Sequence, residues 1–263
     1  MSIADRISAF LYRRQWRGAT RFHSTICGGR RIQLTTQHGI CLALDPTEYI
    51  DSIIIRHGYY ETEVLHAIQE ALCPGQVFWD VGANLGIHAL TIKSQYKDVQ
   101  VCAFEPNPDM ATLIDDAARI NELQIQVCEI ALDTTHRTVD LFRHQGNAGC
   151  SGLHNWDNNP ELETIAVQAR SGDELIALHE TPAPHVIKMD VEGHEAEVLQ
   201  GLAQTLQDRT LHTVVFEDNP KPDTPVKQIL HQHGFEITSL SRLEPTHHKL
   251  ENYQATRQAA SHT

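Results

Sequence analysis

The chain has 263 residues, 41% of them hydrophobic, enough for one large domain or one domain with an appendage. Its net charge of −13 argues against a protein that tracks a phosphate backbone, so no nucleic-acid partner is expected. No apolar run approaches the ~18 residues of a membrane span, and six widely spaced cysteines without a C-x-x-C pair fit a reducing, cytoplasmic setting.

The charge is uneven along the chain. Residues 1–31 hold seven arginines and one aspartate, a net +6, so the rest carries −19. Arg6, Arg13, Arg14 and Arg17 accompany Phe10, Leu11 and Trp16, an expected helix. It has two readings. One is peripheral contact with an anionic membrane surface or a protein partner. The other is a solvated helix whose few apolar residues dock on its own domain, which the short apolar stretch favours. Runs 31–36 and 40–44 flank Gln37-His38-Gly39 and predict a β-hairpin. Residues 60–72 place Val64, Leu65, Ile68 and Leu72 on one helical face, stopped by Cys73-Pro74-Gly75.

The organising stretch is 77–86. An apolar strand ends in Asp80, Gly82 and Gly86 turn the chain, and a helical pattern starts at Ile87. A second strand, 99–104, ends in Glu105. A glycine turn followed by an acid at the next strand end is how a βαβ unit holds a nucleoside. Asn84 stands where a dinucleotide fingerprint has its middle glycine, and Asp80 precedes the turn. An acid there repels phosphate and suits a cationic tail. The pattern resembles the S-adenosylmethionine (SAM) site of Rossmann-like methyltransferases.

Downstream, Asn107 and Pro108 open a helix with Met110, Leu113, Ile114 and Ala117 facing the sheet. Strands are expected at 124–130, 138–142 and 163–169, with a glycine-rich loop at 146–152. A strand over 185–190, a helix over 192–206, a strand over 211–216, a helix over 223–233 and a strand over 235–240 follow. A last strand is expected around 253–256, with disorder beyond. This alternation predicts an α/β, Rossmann-like, doubly wound and mostly parallel sheet, with a small N-terminal hairpin and helix extension. The expected parts are an extension over 1–58, the main domain over 59–245 and a polar tail over 246–263.

Acids at the ends of successive strands, Asp80, Glu105, Asp190 and Glu217, converge on the crevice outside the carboxyl ends of such a sheet. Asp190, Glu192, Glu217 and Asp218 also make an oxygen set for a divalent cation, but acids gather at strand ends without metals, and no metal is assigned.

Tyr60-Glu61, Asp80-Val81-Gly82-Ala83-Asn84-Leu85-Gly86, Phe104-Glu105-Pro106 and above all the run from Ile187 to Gly201, with its K-x-D-V-E-G-x-E block, resemble the FkbM family of methyltransferases. The resemblance spans about residues 45–220. It implies a class I fold and a SAM-dependent O-methyltransferase acting on a hydroxyl of a sugar, glycan or secondary metabolite. It implies cofactor contacts from Asp80, Gly82, Asn84, Gly86, Glu105, Pro106, Ala131 and Asp190. Glu61, Glu192 and Glu217 are expected on the acceptor side. Where the family often has T-L-D-x-L, this chain has Arg170-Ser171-Gly172-Asp173-Glu174-Leu175.

An alcohol must lose its proton to accept a methyl group, which asks for a nearby carboxylate or imidazole. Asp190 is the first candidate base and His194, four residues on, the second. The alternatives are a nicotinamide-dependent oxidoreductase on the same fold and a non-catalytic SAM- or nucleoside-binding module.

Overall fold

The computed structural model describes residues 3–14, 16–26, 28–144, 151–155, 162–240 and 250–257. Most of the glycine-rich loop expected at 146–152, the boundary at 245 and the tail beyond 257 lie outside these residues.

The central sheet follows from the apolar runs. Strand β3 (Val77–Val81) is buried at all five positions, as expected for a strand covered on both faces. It pairs in parallel with β4 (Gln100–Phe104) on one side and β9 (Val186–Met189) on the other. Strand β5 (Gln126–Cys128) extends the first side, and β10 (Thr213–Asp218) the second, again in parallel. Then the chain departs from simple alternation. Strand β12 (Glu251–Thr256) inserts antiparallel between β10 and β11 (Glu236–Ser239). The seven-stranded order is β11-β12-β10-β9-β3-β4-β5.

Helices cover both faces. Helix α4 (Thr62–Ala71) and α5 (Ile87–Gln95) share one core with Phe78, Val101 and Val215. On the other face Trp79, Phe104, Ile187 and Phe216 meet Leu199, Leu202 and Leu230 from α8 (Glu195–Gln200), the turns after it and α9 (Pro225–Gln232). Helix α6 (Pro108–Ile120) begins as expected, with Asn107 capping the Asp109 N–H and Pro108 in the first turn. Helix α8 ends at Gln200, short of the predicted 206.

The N-terminal extension is larger than a hairpin with one helix. Helices α1 (Ile3–Arg13) and α2 (Ala19–Ile26) precede β1 (Ile32–Thr35) and β2 (Cys41–Leu44), and α3 (Tyr49–His57) follows. Ala9, Ile32, Leu44, Ile54 and Ile55 form a third core with Leu85, Leu90 and Met110, so the extension packs on α5 and α6.

A second sheet joins β6 (Ala131–Leu132), β8 (Glu163–Arg170) and β7 (Arg137–Arg143), the last two antiparallel. The stretch 170–175 opens α7 (Gly172–Ala177), capped by Ser171. Asp173, which keeps the acid of the family's T-L-D-x-L, accepts hydrogen bonds from the Gln204 and Thr205 N–H groups and so fastens the turns after α8.

Candidate active site

The glycine turn after β3 is built by necessity. Gly82 sits at φ 73°. A Cβ there would meet the Asp190 carbonyl oxygen at 1.8 Å, so any side chain would push β3 and β9 apart. Asn84, at φ 51°, uses the tolerance of asparagine for the left-handed region. The Gly82 and Ala83 N–H groups both donate to the Phe104 carbonyl at 3.0 Å, which fixes the turn against the end of β4.

A deep cleft opens over this turn at the carboxyl ends of β3, β4, β9 and β10. Of the residues expected at the site, Gly82, Asn84, Glu105, Pro106, Ala131, Asp190, His194, Glu61, Glu192 and Glu217 line it. Asp80 and Gly86 do not. Asp80 is 1% exposed, and its Oδ2 accepts from the Ala89 N–H in the first turn of α5 at 3.0 Å. Its carboxylate therefore braces the cleft from behind instead of facing a ligand tail. Gly86 faces Ile114 of α6, where a Cβ would come within 3.0 Å.

Lys188 is the partner that explains Asp80. The two are register neighbours across β3 and β9, and Lys188 Nζ lies 3.4 Å from Asp80 Oδ1. The same ammonium donates to the Gly82 carbonyl at 3.0 Å and lies 3.8 Å from Asp190 Oδ2. Burial alone would lower its pKa, but Asp80, Asp190 and Glu61 outweigh burial and raise it, so it stays charged. Its signal was in the sequence: in K-x-D on a strand, Lys188 and Asp190 share one face.

Glu105 is nearly buried, and both its oxygens hold backbone. Oε2 accepts from the Asn84 N–H and Oε1 from the Asn107 N–H, each at 2.8 Å. Burial pushes its pKa up to about 7 against these two bonds.

One end of the cleft gathers acids. Glu61 occupies the left-handed region at φ 48°, and Glu192 does so at φ 54°. Both pKa values are raised, by burial first and then by the charge of Asp190. Tyr60 lines the same end, and burial with these acids raises its pKa as well. His88, a lone histidine in an apolar helix, carried no sequence signal. It is buried in the cleft wall with its pKa lowered to about 4, by burial and then by Lys188.

Asp190 does not cap α8. Its neighbour Glu195 binds the loop, accepting from the Val191 and Gly193 N–H groups at 3.1 and 3.2 Å. His194 is almost fully buried. Its Nε2 lies 3.3 Å from Asp133 Oδ1, and its Nδ1 lies 3.3 Å from His154 Nε2 and 3.7 Å from Glu197 Oε2. Burial lowers its pKa, with Asp133 and Glu197 acting against this.

The residues fit a cationic nucleoside. Glu61, Glu105, Asp190, Glu192 and Glu217 supply carboxyl groups, whose ionisation a bound cation would favour, and Val81, Phe104, Leu132 and Leu141 supply an apolar bed. Lys188 is the one Lys or Arg among the described lining residues, and its ammonium is engaged by Asp80 and Gly82. Such a lining offers little to a pyrophosphate.

The sheet order, with its antiparallel β12, and this cleft define a class I, Rossmann-like methyltransferase. A family model described as the methyltransferase FkbM domain matches residues 80–237, and the chain belongs to this FkbM family of methyltransferases. The hexuronic acid methyltransferase AglP of Haloferax volcanii is 30% identical over 185 residues, 70% of this chain and 74% of its own. Methyltransferase sdnD of Sordaria araneosa is 25% identical over 221 residues, 72% of this chain and 85% of its own. The METTL16 MTase domain has the same fold, with a TM-score of 0.51 at 12% identity, covering 96% of this chain and 78% of that one. The protein is a SAM-dependent methyltransferase, and the oxidoreductase alternative falls away.

Proposed function

We propose that the protein methylates a hydroxyl group of a sugar or glycan, with Asp190 as the base. SAM supplies a methyl group activated as a sulfonium. The Gly82–Leu85 turn, Glu105, Pro106 and Ala131 would hold the nucleoside. Asp190 would orient the acceptor hydroxyl and take its proton as the methyl arrives, helped by exclusion of water from the cleft.

The observation that carries this reading is the acid group Glu61, Asp190, Glu192 and Glu217 around Lys188 at one end of the cleft. With the Lys188 ammonium taken up by Asp80 and Gly82, an acceptor carboxylate finds no free cation among the described residues at that end, whereas a neutral hydroxyl finds hydrogen-bond acceptors and a base. The named activity of AglP, on a hexuronic acid, supports a sugar acceptor. His194 ranks behind Asp190, because both its nitrogens are faced by protein groups. The test uses SAM labelled in its methyl group with uronic-acid and neutral glycosides. The expected product is an alkali-stable methyl ether; an alkali-labile ester would overturn hydroxyl transfer.

The N-terminal helix supports peripheral membrane contact. The face of α1 that docks on the domain is Asp5, Ser8 and Ala9, while Ile3, Ile7 and Phe10 are 79, 43 and 56% exposed. Trp16 is 53% exposed, and the guanidinium-rich segment around these residues matches an anionic lipid surface.

A further inference from the structure

His154, His194 and Glu197 meet at the rim of the cleft. Each offers one ligating atom, and these atoms all lie within 4.8 Å of one another. His194 Nδ1 is 3.3 Å from His154 Nε2 and 3.7 Å from Glu197 Oε2. Metal bonds of ~2.0–2.1 Å at tetrahedral angles separate two donors by ~3.4 Å, so these pairs need little movement to share one ion.

The far side of His194 is the second observation. Asp133 has no exposed surface, and its carboxylate is fixed by the Thr134 N–H at 2.6 Å and Arg137 Nε at 2.7 Å. Its Oδ1 lies 3.3 Å from His194 Nε2. The two atoms are not aligned as a hydrogen bond, but the carboxylate charge at this distance favours the imidazole tautomer with its proton on Nε2. The Nδ1 lone pair then faces His154 and Glu197. A buried carboxylate behind one ring nitrogen and further ligating groups before the other is the arrangement that orients metal-ligating histidines. Glu197 is partly exposed, which gives an ion a way in from solvent.

We propose that His154, His194 and Glu197 bind a divalent transition metal of the zinc class, with Asp133 as the positioning carboxylate. Two imidazoles and one carboxylate suit zinc and its neighbours over magnesium or calcium, which prefer all-oxygen sets. Residues 151–153 line the cleft, and Gly152 bridges to Phe142 of β7 and faces Glu192. The ion would tie this segment to α8 and close the cleft wall beside the acids. The site does not depend on the choice of methyl acceptor.

The test is spectroscopic. Full-length protein is stripped with a chelator and titrated with Co²⁺, then with Zn²⁺ in competition. The expected result is one equivalent of Co²⁺ giving the intense visible bands of a tetrahedral site, displaced by Zn²⁺. His154→Ala and Glu197→Gln each abolish the bands, and Asp133→Asn weakens binding by ~10–100-fold. Seventeen histidines offer adventitious binding elsewhere, which these variants would leave untouched. No bands in the wild type, or bands unchanged in either folded ligand variant, would overturn the proposal. Calorimetry with SAM on the same stripped sample keeps cofactor binding as a separate readout.

Discussion

At the scale of single residues, Glu105 has a second task besides any bond to the ribose. Its carboxylate satisfies the Asn84 and Asn107 N–H groups at the start of two connections. Glu105→Ala leaves both without a partner, at ~1–3 kcal/mol each. We expect a lower melting temperature together with at least a ~tenfold loss of SAM affinity, since a bond to a charged group is worth ~1.5–3 kcal/mol. A variant with wild-type melting and affinity would remove Glu105 from both roles. Asp190→Asn separates chemistry from structure, because Glu195 and not Asp190 holds the loop before α8. Turnover should fall ~10²-fold with melting and SAM affinity little changed. Near-normal kcat would contradict Asp190 as the base. The turn glycines, Asn84 and Glu105 were legible because backbone conformation and strand-end position dictate residue type there. Asp80 was half legible: the sequence puts an acid at the strand end but does not say whether it faces the ligand or the next helix. Lys188 needed the register of β3 against β9 to find its role, and His88 needed the packing of α5.

At the scale of elements, α1 reverses the sequence expectation that its apolar residues dock on the domain. The docked face is held by Asp5 to Arg30 at 2.8 Å, Ser8 to His23 at 3.1 Å and Arg13 to the Ile55 carbonyl at 2.9 Å. Periodicity shows that a helix has two faces; here specific polar partners chose which one goes in. We expect sedimentation with phosphatidylserine-containing vesicles at low salt and not with phosphatidylcholine alone. Ile7→Asp with Phe10→Asp should abolish it while leaving SAM binding intact. Equal sedimentation of wild type and double variant would exclude this surface. Other elements were illegible for reasons of range. Helix α3 is only nine residues long and carries Ile53-Ile54-Ile55, three β-branched residues in a row, a run that reads as readily as a short strand. The insertion of β12 between β10 and β11 is a pairing across distant segments that no local pattern encodes.

At the scale of the whole molecule, the parallel sheet was readable from strand and helix alternation, and its buried acids set a pH dependence. Burial raises Glu105 and Glu195 to about 7 from 4.5, and Asp51 to about 6 from 3.8. Each binds its proton more tightly in the folded state. Their stabilisation is full below the unfolded values and is lost as pH rises through the folded ones. His88, lowered from 6.5 to about 4, acts oppositely, but its effect is complete by pH 6.5. The ligand-free protein should therefore melt lower at pH 8 than at pH 6.5, and SAM, a cation, should bind more tightly at pH 8. A flat profile of both would contradict the ionisation scheme. The most direct measurement is methyl transfer from labelled SAM to a hexuronic acid glycoside, comparing the wild type with Asp190→Asn. The account expects label in an alkali-stable ether at a rate that falls ~10²-fold in the variant at equal SAM occupancy. Label delivered equally well by both proteins would contradict it.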